Sequence, residues 1–158
     1  MKKNPLLDVA FSKKIWKVCL SHSALLLELR DVSFSPASYT AIDLKEKKIL
    51  WQNQSFFSSP RIFLCDVKMN KAIFSSFAEE NLPRTQGVIV MDINTTAINW
   101  QNELLCYLKG YDSHILVYAL HDIHKKVFAC ELQTGTIVEN SQSLAKSESL
   151  ILSPKRYL

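Results

Sequence analysis

Three histidines fall in one short run, "DSHILVYALHDIH": His114, His121 and His124, with Asp112 and Asp122 among them. Imidazole and carboxylate are the ligands of zinc and related divalent ions. A metal-dependent, hydrolase-like enzyme built on His114, His121 and His124 is therefore one reading of the chain. The spacing His121-x-x-His124 lacks the helical setting that makes a two-histidine motif specific. "HDIHKK" reads more simply as a polar hairpin turn. A second chemical set is acidic: Asp43, Asp66, Asp92 and Glu131. General acid–base work needs two carboxylates converging on one cleft. These four instead occupy one place in a repeating pattern, where an acidic side chain accepts turn N–H groups. The sequence has neither a glycine-rich phosphate loop nor G-x-S-x-G, and "SHS" at Ser21–Ser23 has no evident partner.

Aromatic residues form the third candidate set. Trp16, Trp51 and Trp100, with Tyr107, Tyr111 and Tyr118, could line a ligand face, although packing between sheets is the plainer use of such area. Phe56 and Phe57, in "QNQSFFSSP", stand in an expected loop and are the best candidates for exposed contact. Glu79, Glu80 and Arg84 lie in "FAEENLPRTQG", the longest polar stretch, which reads as a second loop because of Pro83 and Gly87. The loops 54–60 and 79–86 are thus the expected contact surface for a protein or small-molecule ligand.

The cysteines, Cys19, Cys65, Cys106 and Cys130, each sit inside an apolar run without a C-x-x-C pair. They read as small buried hydrophobes rather than disulfide or metal ligands. The net charge of +4 comes from 19 basic and 15 acidic residues dispersed in pairs such as Lys13-Lys14 and Lys47-Lys48. No basic stripe emerges, so nucleic acid is not an expected partner. Two lysines open the chain like a leader peptide, but Asp8 and Lys13-Lys14 break the apolar run, and no run reaches membrane-spanning length. Membrane is not an expected partner, and a cytoplasmic location is the expectation.

The elements that must position these residues are short β-rich runs separated by polar turns. Twelve strands are expected, at 14–21, 24–32, 39–44, 48–53, 62–67, 71–78, 87–93, 97–102, 104–110, 115–120, 126–132 and 136–140. Connections of a few residues make most neighbours antiparallel hairpins. Only "LLDVAF" and "SQSLAKSESLIL" suggest short helical or irregular pieces. Within the strands a unit returns. "YTAIDLKEKKILWQN" and "VIVMDINTTAINWQN" both run from Asp through a turn to Trp-Gln-Asn. "VFACELQTGTIVEN" follows with Glu131 and Glu139 in the Asp and Trp places, and "IFLCDVKMNKAIF" is a weaker echo. Gly135 supplies the positive φ the third turn wants, and Asn94 is the expected left-handed residue of the second. Each Trp is expected to wedge between neighbouring sheets.

The pattern A-x-D-x-x-x-G-x-x-x-W, carried by those segments, resembles the repeat of quinoprotein-dehydrogenase-like β-propellers. The order "KIWKVCLS…LLLELRD…YTAIDLKEKKILWQ…ENLPRTQGVIVMDINTTAINWQNE" is similar to domain of unknown function family 4905, an uncharacterised bacterial family, over roughly residues 11–140. The resemblance implies an all-β fold of antiparallel hairpins forming about three β-propeller-blade-like repeats. Twelve strands make too few blades for closure, so the propeller would be partial or partner-completed. A barrel or sandwich of the same hairpins is the alternative. Redox chemistry in the longer propeller enzymes is not expected to carry over, and no cofactor is expected. The organisation read from the chain is an N-terminal extension at 1–13, a repeat domain at 14–140 and a tail at 141–158. The expected function is a non-enzymatic β-repeat scaffold for protein or ligand binding, able to self-associate through open sheet edges.

Overall fold

Among the described residues, alternating and wholly apolar runs fold into twelve strands. The structure, a computed structural model, describes residues 7–33, 35–79 and 82–138, apart from the side chains of Glu79, Leu82 and Pro83. The strands are β1 (Lys14–Leu20), β2 (Ala24–Arg30), β3 (Ser38–Asp43), β4 (Lys48–Gln54), β5 (Ile62–Lys68) and β6 (Lys71–Glu79). They continue as β7 (Leu82–Asp92), β8 (Ile98–Asn102), β9 (Leu105–Gly110), β10 (His114–Ala119), β11 (Val127–Glu131) and β12 (Ile137–Val138). No helix occurs among the described residues. Residues 7–11 of "LLDVAF" lie outside regular structure, and "SQSLAKSESLIL" lies outside the described residues.

Strands β1 to β4 form one antiparallel sheet in chain order. Strands β5 to β12 form an eight-stranded sheet ordered β12-β11-β10-β9-β7-β6-β5, with β8 also paired to β7. That larger sheet divides naturally into two antiparallel meanders, β5–β8 and β9–β12, joined by one parallel pair at Gly87 and Cys106. The described residues therefore form three successive four-stranded meanders, and neither sheet closes on itself among them.

The second meander is the middle layer. Leu64, Val67, Ala72, Phe74, Met91 and Ile93 pack against Leu26, Tyr39 and Ala41 of the first meander. On its other face Ile73, Val88 and Val90 pack against Ile115, Val117 and Cys130 of the third. The alternation of Phe74 and Ile73 between two cores follows from the two-residue period of a strand. It explains why residues 88–91 of β7 read as a continuous apolar run: both faces of that part of the strand pack against a core.

The repeated Asp-to-Trp segments are the last hairpins of successive meanders. Ala41 pairs with Trp51 and Ile42 with Ile49, leaving a bulge between them. Val90 pairs with Trp100 and Met91 with Ile98, in the same register with the same bulge. Asp43 Oδ1 accepts the N–H groups of Lys45 and Glu46 at 2.9 Å each. Asp92 Oδ1 accepts those of Asn94 and Thr95 at 2.9 and 3.0 Å. In the third turn the longer Glu131 accepts the Thr134 hydroxyl at 2.6 Å. The left-handed position is the same in all three: Lys47 (φ 53°), Thr96 (φ 59°) and Gly135 (φ 73°). Thr96, not the expected Asn94, takes that conformation, because the bulged turn places it four residues beyond the aspartate, where Thr96 N–H closes onto Asp92 O at 2.8 Å. Glu139, expected to mirror the tryptophans, lies outside the described residues.

The weaker echo is a different turn. Asp66 Oδ1 accepts only its neighbour's N–H, from Val67 at 2.8 Å, and the left-handed residue is Met69. A second correction concerns residues 79–86, expected as a loop. Apart from Glu80 and Asn81, which are outside the described residues, they extend β6 and β7, with Glu79 opposite Leu82 and Phe77 opposite Thr85. On the far side of β7, pairing involves only Gly87 to Met91. Pro83 therefore stands on a one-sided stretch, where its missing N–H removes no ladder bond.

Candidate functional site

The two tryptophans of the repeat tie neighbouring meanders together. Trp51 Nε1 donates to Ile93 O at 2.8 Å, and Trp100 Nε1 donates to Leu132 O at 2.9 Å. Ile93 and Leu132 each follow the acidic residue of the next turn, so the two ties are equivalent. A Cβ on Gly135 would lie 2.7 Å from Trp100 Cδ2, so the third turn needs glycine both for its φ and for the indole that rests on it.

Trp16 behaves differently. Ile15 pairs with Leu29 and Lys17 with Glu28, leaving Trp16 as the extra residue of a bulge in β1. A bulge re-aims its side chain, and this indole is 70% exposed. It lines a cleft of about 640 Å³ at the seam between the first and second meanders. Lys14 and Lys17 from β1, Arg61 and Phe63 at the start of β5, and Phe77 from β6 share that lining. Phe63 and Phe77 are stacked, with ring centroids 4.4 Å apart.

Beneath the cleft lies a buried ion pair that serves the free edge of β5. Glu28 is fully buried, and its Oε1 accepts Arg30 Nε at 2.6 Å. Its Oε2 accepts the backbone N–H of Leu64 at 2.6 Å. Arg30 Nη1 and Nη2 donate to Pro60 O and Ile62 O at 2.7 Å each. The pair thus offers β5 the donors and acceptor that a neighbouring strand would, and a buried pair is tolerable only when its remaining polar atoms are satisfied in this way. At the rim, Asp31 accepts the Ser33 and Ser35 hydroxyls and lies 3.9 Å from Lys13. Those hydroxyl bonds, Ser33 first, hold its carboxyl below the usual range. Lys14 and Lys17 have no carboxylate partner among the described residues.

Lys17 and Phe63 also border a smaller cavity of about 160 Å³ with Cys65, Ser75, Thr85 and Tyr107. Burial pushes the Cys65 thiol up to about 12, which leaves it a protonated, unreactive group. Tyr107 donates to Asp66 Oδ2 at 2.9 Å, and burial followed by the Asp66 charge raises its hydroxyl. A further recess of about 260 Å³ beside Gly87 is lined by serine, glutamine, asparagine and aliphatic side chains, with Glu103 the only charged residue among the described ones.

The residues singled out in the sequence are not gathered in one place. His114, at the start of β10, is buried against the Tyr111 ring at 4.7 Å, with Ser113 Oγ 3.2 Å from its Nδ1. His121 and His124 are exposed beyond the opposite end of β10. An intervening strand of that length separates the two ends by about 20 Å. The three therefore form no joint ligand set, and among the described residues no group of three metal-ligating side chains forms. Asp122 accepts the N–H groups of Lys126 and His124 at 2.9 Å each, as a hairpin turn requires.

Phe56 and Phe57 do stand in a loop, but they are packed rather than exposed. Phe56 meets Trp51 at 5.1 Å and Phe57 meets Phe74 at 5.0 Å, closing an aromatic cluster around Tyr39. Arg84 is exposed and donates to Leu120 O at 2.7 Å. Glu80 lies outside the described residues, as does the side chain of Glu79. Lys14, Lys17, Phe63, Phe77 and the Glu28–Arg30 pair stand outside the sites expected from the sequence. A signal for them was present in "KKIWK", an indole flanked by lysines, and in "LLLELR", where two opposite charges share one face of an otherwise apolar strand.

Compared with known protein families, residues 20–100 match the model described as Domain of unknown function (DUF4905), just over half of the chain. The match runs from the end of β1 to Trp100, and so takes in the first meander's repeat hairpin and the whole first indole tie. No curated protein matches.

Proposed function

The chain belongs to that family of unknown function, and we propose that it is a non-enzymatic β-repeat scaffold that binds a small-molecule ligand between its first two meanders. The observation that carries this reading is the cleft at their seam. A bulge turns Trp16 out into it, two lysines without carboxylate partners among the described residues border it, and a satisfied buried ion pair makes its floor rigid. Sites on rigid strands hold a ligand more firmly than sites on loops.

The three meanders stand as blades of an open propeller on this reading. The repeated indole tie, each to the carbonyl after the next acidic turn residue, supports it. An open fan leaves edges for self-association. β1 is such an edge, with Val18 and Leu20 more than half exposed. Free thiols at all four cysteines suit a reducing, cytoplasmic setting.

The test is a small-molecule fragment screen followed by NMR on isotope-labelled protein. Saturable shifts at the Trp16 indole and the Phe63 and Phe77 rings, with the fragment recovered unchanged, are the expected result. Binding that maps away from these residues, or a fragment chemically converted by the protein, would remove the reading.

A further inference from the structure

We infer that the cleft selects a flat aromatic anion: one or two fused rings carrying a carboxylate, sulfonate or phosphate. This names the ligand class of the binding-scaffold reading and rests on it. The charges around the cleft decide the sign. Glu28 and Arg30 neutralise each other at 2.6 Å, and the remaining Arg30 donors are spent on Pro60 O and Ile62 O. Asp31 is engaged by two hydroxyls and faces Lys13. Lys14 and Lys17 remain at the opening with no carboxylate partner among the described residues, so the described lining carries a positive surplus. An ammonium next to an aromatic wall attracts an anion while the wall takes up its apolar part.

The shape decides the rest. The exposed Trp16 indole and the stacked Phe63–Phe77 pair give the cleft flat apolar surfaces. Its volume, about 640 Å³, falls within the range of sites for small organic ligands. The lining holds no glycine that would let backbone N–H groups wrap a polyphosphate, so the anchor is a pair of ammonium groups suited to one anionic head.

Calorimetric titration of the full chain with naphthalene-2-sulfonate and with its neutral isostere naphthalene-2-sulfonamide tests this. The sulfonate is expected to bind at least about tenfold more tightly, and the gap is expected to narrow as salt rises from about 50 to about 500 mM. Lys17→Met should weaken the sulfonate about fivefold and leave the sulfonamide unchanged. Trp16→Ala should weaken both about fivefold or more. Circular dichroism on each variant establishes that it is folded. Equal affinity of the two probes, with both still lost in Trp16→Ala, overturns the anion selectivity while the binding scaffold stands. No saturable binding of either probe to folded wild-type protein overturns both. Inorganic sulfate binding as tightly as the naphthalene sulfonate overturns the aromatic half of the inference.

Discussion

At the residue scale, three equivalent turns meet one backbone demand with three different side chains. Lys47, Thr96 and Gly135 all adopt positive φ, a conformation costing about 1 kcal/mol or more for residues with a Cβ and most for a β-branched one. Gly135→Ala is expected to destabilise by about 2 kcal/mol or more, since its methyl would add a clash with Trp100 to the strain. Thr96→Gly should stabilise by about 1 kcal/mol. Urea unfolding of both variants checks the opposite signs, and like signs would contradict the shared turn. The glycine of one copy was visible in the sequence. That threonine holds its place in another was not, because the position is set by the bulged register of β7 and β8 rather than by local propensity.

Asp92 adds a pH dependence at this same scale. Burial raises its carboxyl, but Lys71 Nζ at 2.7 Å and the N–H groups of Thr95 and Asn94 outweigh it and hold the group below the usual range. A folded-state value below the unfolded one of about 3.9 gives stability that is full above about pH 5 and lost as the pH falls through the folded value. Asp92→Asn should therefore flatten the loss of stability below about pH 4. It should also cost about 3 kcal/mol at neutral pH, because Lys71 would stay buried without its partner. Unfolding measured across the acid range decides it, and an unchanged acid limb would rule out this role for Asp92.

At the element scale, the free edge of β5 is served by side chains of β2 instead of a strand. Glu28→Gln should destabilise by about 3 kcal/mol by leaving Arg30 without its counter-charge. It should also speed hydrogen exchange at the Leu64 amide, and protection unchanged at Leu64 would show that the pair does not guard the edge. The indole ties are a second device at this scale. Trp51→Phe and Trp100→Phe each remove one hydrogen bond while keeping a ring, for a loss of about 1 kcal/mol apiece. The two losses should add in the double variant, since they lie at different seams, and strong non-additivity would mean the seams are coupled. The strands themselves were legible almost to the residue, because their alternation and turns are local signals. The polar extension of β6 and β7 was not, because a stretch paired on one side only carries no apolar pattern to announce it.

For the whole molecule, three meanders in series bury both faces of the middle one and leave the assembly open at its ends. Wild-type protein is expected to show a second, larger species in sedimentation that grows with concentration, through the exposed edge strand β1. Val18→Lys should suppress that species by placing a charge on the edge. A single monomeric species over the whole range would remove self-association. Among the described residues no helix is long and apolar enough to cross a membrane, which agrees with a chain built of short strands.

The amino-acid order by itself determined the all-β class, the antiparallel hairpins, the repeat and the resemblance to a family of unknown function. All of these rest on contacts between residues close in sequence. Tertiary structure decided which aromatic residues are walls and which are ties. It packed Phe56 and Phe57 inward, turned Trp16 outward, drew His114 away from His121 and His124, and set Glu28 against the amide of Leu64. Those outcomes depend on a bulge, on the span of a strand and on the meeting of distant edges, and no local pattern of side chains encodes where distant edges meet.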